Sequence, residues 1–196
     1  MKKQFLALAA VGVAVCCLGA CKSKNGGDEY DALNRMLHTS YSQISITVTD
    51  TFDESTSLES VYLVTYSGNF ATVDYRVEQF TEISLDQPAS GVKTTFTGKA
   101  TIQYDTVRIE GDSVDIDFYS IAHPKLTFKK DSFINAQLSD IYLIADVANP
   151  SAFLGTEIDC SNMTVTALFN EVFENIQVNY TSEGGNEVNY TYIFTV

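Results

Sequence analysis

The chain has 196 residues, 25 of them acidic and 12 basic, for a formal charge of −13. Such a surface repels nucleic acid and offers no basic patch to hold phosphate groups. It favours solubility and, at most, cationic or basic partners.

The chain opens with Met1-Lys2-Lys3 and continues as an apolar stretch from Phe5 to Gly19 that no charge interrupts. A basic head followed by a short apolar run is the pattern of a secretory signal. The run is too short for an ordinary spanning helix, which needs about 20 apolar residues. It ends in Leu18-Gly19-Ala20-Cys21, which resembles the lipobox of bacterial prolipoproteins. That resemblance implies cleavage before Cys21 and a diacylglycerol on the Cys21 thiol, in a family whose new amino terminus is often acylated too. It implies an address too: the cell envelope, anchored outside the cytoplasm to the outer membrane or to the outer face of the plasma membrane. Residues 22–28, Lys-Ser-Lys-Asn-Gly-Gly-Asp, suit a flexible tether. The expected organisation is therefore a signal over 1–20, a lipidated tether over 21–28 and one domain over 29–196.

Without residues 1–20 and their two lysines, the remaining 176 residues carry 10 basic and 25 acidic groups, a formal charge of −15. That length suits one domain with a sizeable core. Of the four cysteines, two leave with the signal and Cys21 carries lipid, so Cys160 has no partner for an intramolecular disulfide. Stability must come from apolar packing.

One helix is expected at the start of the domain, over 29–39, where Tyr30, Leu33, Met36 and Leu37 share a face and Asp28 stands at the cap position. Period-two alternation then takes over. Ile44, Ile46 and Val48 alternate with Ser and Thr. Tyr62, Val64 and Tyr66 lead through Ser67-Gly68-Asn69 to Ala71, Val73, Tyr75 and Val77, a hairpin. Further strands are expected over 94–104, 107–109, 114–118 and 126–128, with Gly111-Asp112 as a turn. A hairpin over 133–138 and 141–147 follows, then a capped helical turn from Asn149-Pro150 to Gly155. Strands over 163–169, 176–180 and 188–194 close the chain, the last two joined by Glu183-Gly184-Gly185-Asn186. Ile46-Thr47-Val48-Thr49 is echoed by Met163-Thr164-Val165-Thr166, which suggests similar meanders at the two ends of one sheet.

About ten strands in up-and-down order argue for a mostly β fold: one large curved antiparallel sheet, a half-barrel or open barrel, with one N-terminal helix. A two-sheet β-sandwich is the alternative. An early amphipathic helix followed by long hairpins resembles the LolA/LppX-type half-barrel, whose members are envelope proteins that hold lipids or lipoproteins. The resemblance is one of pattern along the domain and carries over no functional residue.

No catalytic set is legible, and neither a cofactor nor a metal is expected. His38 and His123 are too few and too separated for a histidine metal cluster, and no His-Glu-x-x-His run exists. Ser90-Gly91-Val92-Lys93 fits Ser-x-x-Lys, but Pro88 and Gly91 replace the helix that would bring the two side chains together. Glu110, Asp112, Asp115 and Asp117, and likewise Asp50, Asp53 and Glu54, lack the spacing of a calcium loop. Asn162, Asn179 and Asn189 begin glycosylation sequons that an exported bacterial protein has no evident use for. Trp is absent, which disfavours a sugar-stacking platform, whereas 11 Tyr and 12 Phe fall mostly on the alternating apolar faces. There they form core, or line a groove for an acyl chain if the sheet lacks a full second layer. The expected function is a non-enzymatic envelope lipoprotein binding a hydrophobic ligand such as a lipid or acyl chain. The competing expectation is an interaction module that presents a sheet edge or loops to another envelope protein.

Overall fold

The computed structural model describes residues 29–52, 56–82 and 91–196. Residues 1–28, where the signal and tether are expected, lie outside the described residues with Cys21 and Asp28, as do Asp53, Glu54, Pro88 and Ser90.

Helix α1 (Glu29–Leu37) precedes five strands: β1 (Gln43–Thr51), β2 (Thr56–Ser67), β3 (Phe70–Glu82), β4 (Gly91–Gln103) and β5 (Thr106–Gly111). Helix α2 (Phe118–Ala122) follows, then β6 (Phe133–Leu138), β7 (Tyr142–Val147), helix α3 (Pro150–Leu154), β8 (Cys160–Asn170), β9 (Val172–Ser182) and β10 (Glu187–Thr195). All ten strands form one antiparallel sheet in the order β5-β4-β3-β2-β1-β10-β9-β8-β7-β6. Two five-strand meanders thus meet where β1 pairs with β10, from Gln43 opposite Thr195 to Thr51 opposite Glu187. The outermost strands β5 and β6 do not meet, so the sheet is an open half-barrel. The two-sheet sandwich is set aside, because all strands among the described residues belong to the single sheet.

Register follows from the alternation. Phe194, Ile44, Val64, Val73, Ala100 and Ile109 stand opposite one another in a row across six strands, all facing inward. A slip of one residue at any pairing would turn that strand's apolar set to solvent, so burial of one face specifies the register. Val64, Val73 and Ala100 in this row are fully buried.

What they are buried under is the connection between the two edges. Residues 112–132 run from β5 at one edge to β6 at the other, crossing the inner face and burying Phe118, Ala122, Leu126 and Phe128 there. Helix α1 lies on the same side. Its Tyr30 ring stacks on Phe133 at 5.7 Å, and Leu33 is buried. Both amide atoms of Asn34 hold the crossing chain: Nδ2 donates to the Phe128 carbonyl at 2.7 Å and Oδ1 accepts from the Phe128 N–H at 2.8 Å. Tyr66 on β2 donates its hydroxyl to the Ala122 carbonyl at 2.7 Å, and Tyr75 on β3 donates to the Asp112 carbonyl.

The strands expected over 114–118 and 126–128 do not form. The first is extended chain running into α2, where Asp117 accepts from the N–H groups of Tyr119 and Ser120 and so starts a helix. The second is extended chain bonded to Asn34 and to the Phe153 carbonyl, with no strand among the described residues beside it. In both, the alternation arises because every second side chain points into the core beneath. Gly111 (φ +115°) and Asp112 accordingly end β5 and begin the crossover; they do not turn a hairpin. The helix expected over 29–39 ends at Leu37, and two short helices, α2 and α3, join it. Helix α3 is the capped turn, with Asn149 accepting from the Ala152 N–H at 3.1 Å and Gly155 at φ +65°.

The echoed segments belong to meanders that lie side by side in the middle of the sheet, not at its ends. Both meanders advance in the same direction across the sheet, yet β1 and β8 run antiparallel. Superposing them would lay the inner face of one on the outer face of the other, although Ile46 and Met163 both point inward. The echo is shared Thr alternation, not a structural repeat.

Candidate functional site

The crossover fills only part of the inner face. Phe128 anchors the filled part: its ring lies 5.4 Å from Phe173, 5.5 Å from Phe153 and 6.0 Å from Phe133. Beyond it, His123-Pro124-Lys125-Leu126 spans the sheet over β1 and β10 as a bridge, with a cavity on either side.

The first cavity, about 320 Å³, has a floor of Ile46, Tyr180, Tyr190 and Tyr192 and a roof of Ile121, Leu126, Leu154 and Ile158. The second, about 1030 Å³, lies between the end of α1 and Tyr41, Ile44, Tyr66 and Phe194. Gly155 lines both. A Cβ there would come within 2.9 Å of the Lys125 carbonyl, and the φ of +65° is itself costly for other residues. Glycine therefore lets α3 close against the bridge.

The floor is an aromatic ladder produced by alternation along β10. Tyr190, Tyr192 and Phe194 stack at 6.2 and 6.5 Å, and Tyr180 on β9 extends the stack at 6.3 Å. Burial pushes the hydroxyls of Tyr180, Tyr190 and Tyr192 up, and that of Tyr66 up to about 12. These phenols stay neutral at physiological pH, so the cavities present apolar ring faces with neutral hydroxyls.

One carboxylate faces the same way. Asp50 stands opposite Val188 and Leu58 on the inner face, and its buried Oδ1 has no hydrogen-bond partner among the described residues. Burial raises its pKa, partly offset by a hydrogen bond from Asn186. A carboxyl whose pKa is higher folded than unfolded adds stability while protonated and withdraws it as pH rises through the folded value. Asp50→Asn, which removes the charge and keeps the shape, is therefore expected to stabilise at pH 7 by roughly 0.5–1 kcal/mol, the cost of holding a charge in a partly desolvated place, reduced by partial solvation. Thermal melts should show that gain shrinking toward pH 3; a gain independent of pH would contradict the assignment.

Other residues singled out in the sequence find ordinary places. His38 and His123, 85 positions apart, both line the larger cavity, and His123 Nδ1 lies 3.0 Å from the Tyr119 carbonyl. Among the described residues, no group of three or more His, Cys, Asp or Glu comes close enough to hold a metal ion. Asp112 accepts from the Thr97 N–H at 2.8 Å, Asp117 caps α2, and Lys93 pairs with Glu78 at 2.6 Å. Asn179 and Asn189 face each other on β9 and β10 and bond side chain to side chain. Burial, with Asp159 nearby, raises the Cys160 thiol pKa, which disfavours the nucleophilic thiolate. No described helix is long and apolar enough to cross a membrane. Sequence reasoning missed the roof, Ile121, Leu126, Leu154 and Ile158. Nothing local marks it, because these residues meet the tyrosine floor only through the crossover and α3.

No family model matches the chain, and the comparison with curated proteins finds no match. Among solved structures, a dehydratase domain from the CurF module of curacin polyketide synthase is similar at a TM-score of 0.22 and 10% identity, over 85% of this chain and 80% of that one. A likeness of that size carries no argument about function.

Proposed function

We propose that this is a bacterial envelope lipoprotein, anchored through lipid on Cys21, that works without catalysis by holding the acyl chain of a lipid-like ligand against its inner face. The observation that carries the reading is the pair of cavities left between the tyrosine-lined sheet and the crossover. A space roofed by Ile121, Leu126, Leu154 and Ile158 and floored by aromatic rings takes up methylene groups at a gain of about 0.8 kcal/mol each. The neutral hydroxyls and the exposed Lys125 at its margin can meet a polar head.

The test is titration of the delipidated protein with a fluorescent fatty acid. Saturable binding is expected, weakening about tenfold for every two methylenes removed from the chain. Absence of saturation, or affinity indifferent to chain length, would overturn the reading.

The anchor has its own test. One acyl chain holds a protein at a membrane only marginally, whereas two or more hold it firmly. Cys21→Ser should therefore move the protein from the membrane fraction to the soluble fraction. Partitioning unchanged by the substitution would refute lipidation at that residue.

A further inference from the structure

The two free edges of the sheet are unalike. On β6, pairing with β7 is interrupted between Ile134 and Gln137, where Asn135 adopts φ +53°. Such a bulge blunts an edge against further pairing. The β5 edge has no such device. Its six residues pair with β4 without a register shift, all six are exposed, and Val107 and Ile109 keep 38% and 45% of their surface in solvent.

The two-residue turn Tyr104-Asp105 closes on the pair Gln103–Thr106. The backbone groups of Thr106, Arg108 and Glu110 therefore point to β4, while those of Val107, Ile109 and Gly111 point outward. Asp112, next in the first series, bonds inward to the Thr97 carbonyl at 3.0 Å as this phase requires.

We propose that β5 pairs antiparallel with β5 of a second copy of this chain, Ile109 against Ile109, joining two half-barrels edge to edge. In this register Val107 and Gly111 of each copy bond with Gly111 and Val107 of the other, so every outward backbone group is used. Arg108 of each copy then stands opposite Glu110 of the other on the outer face, in the closer, non-hydrogen-bonded positions. Sliding by one step of the ladder either way sets Arg108 against Arg108 or Glu110 against Glu110. Only the centred register pairs opposite charges. Among the described residues neither Arg108 nor Glu110 has an ion-pair partner; Lys99, beside Glu110 on β4, is engaged with Asp74 at 3.3 Å. The formal charge of −13 on each copy opposes association, and the edge is short, so the pairing is weak and concentration-dependent.

The test is sedimentation equilibrium of the full chain in detergent, over a wide concentration range. A reversible monomer–dimer equilibrium is expected. Arg108→Glu or Glu110→Arg alone should weaken it about tenfold, and the two together should restore it. Ile109→Pro should abolish it, because it removes an outward N–H that the isolated chain does not use. Circular dichroism and melting of these exposed-strand variants should stay as in the parent. A protein monomeric at every concentration overturns the proposal, as does a dimer that the single swaps or Ile109→Pro leave unchanged. Fatty-acid binding does not enter this test, so either proposal can fail alone.

Discussion

Phe128→Ala is expected to lower stability by about 3–5 kcal/mol, the range for truncating a fully buried phenylalanine. The ring sits among Phe133, Phe153 and Phe173, so its loss removes dispersion contacts with three aromatic neighbours and leaves a void that a sheet on one side and α3 on the other cannot close. For a domain of this size that corresponds to a fall in melting temperature of roughly 6–20 °C. The backbone of Phe128 is held by Asn34, so the chain will not simply drift inward to fill the space. Ile144→Ala provides the comparison, since that side chain is exposed on the outer face of β7. It should cost under about 1 kcal/mol. Equal losses for the two variants would mean that the crossover is not part of the packed core, and the description of the inner face would fall with it.

Filling the smaller cavity should abolish ligand binding while the fold persists. Leu154, half-buried at the end of α3, lines that cavity opposite the tyrosine floor. Leu154→Trp adds volume where there is free space, so overpacking costs little compared with a substitution in the filled core. The expected result is at least a tenfold loss of affinity for the fluorescent fatty acid, with a melting temperature close to that of the parent. The chain contains no other tryptophan, so the new indole reports alone. Its emission should be blue-shifted, and adding unlabelled fatty acid should leave it unmoved. A variant that binds as the parent does would place the acyl chain elsewhere, and the larger cavity between α1 and Phe194 would then be the site to block.

The hairpins were legible because each carries its own evidence. Tyr62 to Val77 alternates on both sides of Gly68, and Met163 to Phe169 alternates with Thr; that local pattern chooses the strand, the turn and the face. Asn149, Pro150 and Gly155 likewise announce α3 through cap, fixed φ and stop, all within seven residues. Val114, Ile116, Phe118, Leu126 and Phe128 alternate just as well and are not strands. An extended chain lying over a core buries every second side chain whether or not another strand runs beside it. Asp117, which starts α2, was legible only as one acid among four.

Alternation along the chain determined by itself that this protein is a β protein with one apolar face and which side chains that face presents, because the period of a strand is a property of neighbouring residues. Its Tyr and Phe were also legible as either core or groove lining. Only the tertiary structure decided between the two, through the crossover that starts at β5 and must reach β6. The path of that segment over the inner face determines where rings are packed, as around Phe128, and where space remains, as above Tyr190 and Tyr192. Such a gap belongs to residues brought together from positions 46, 126, 154 and 192. Packing between distant segments creates it, and no short stretch of sequence contains it.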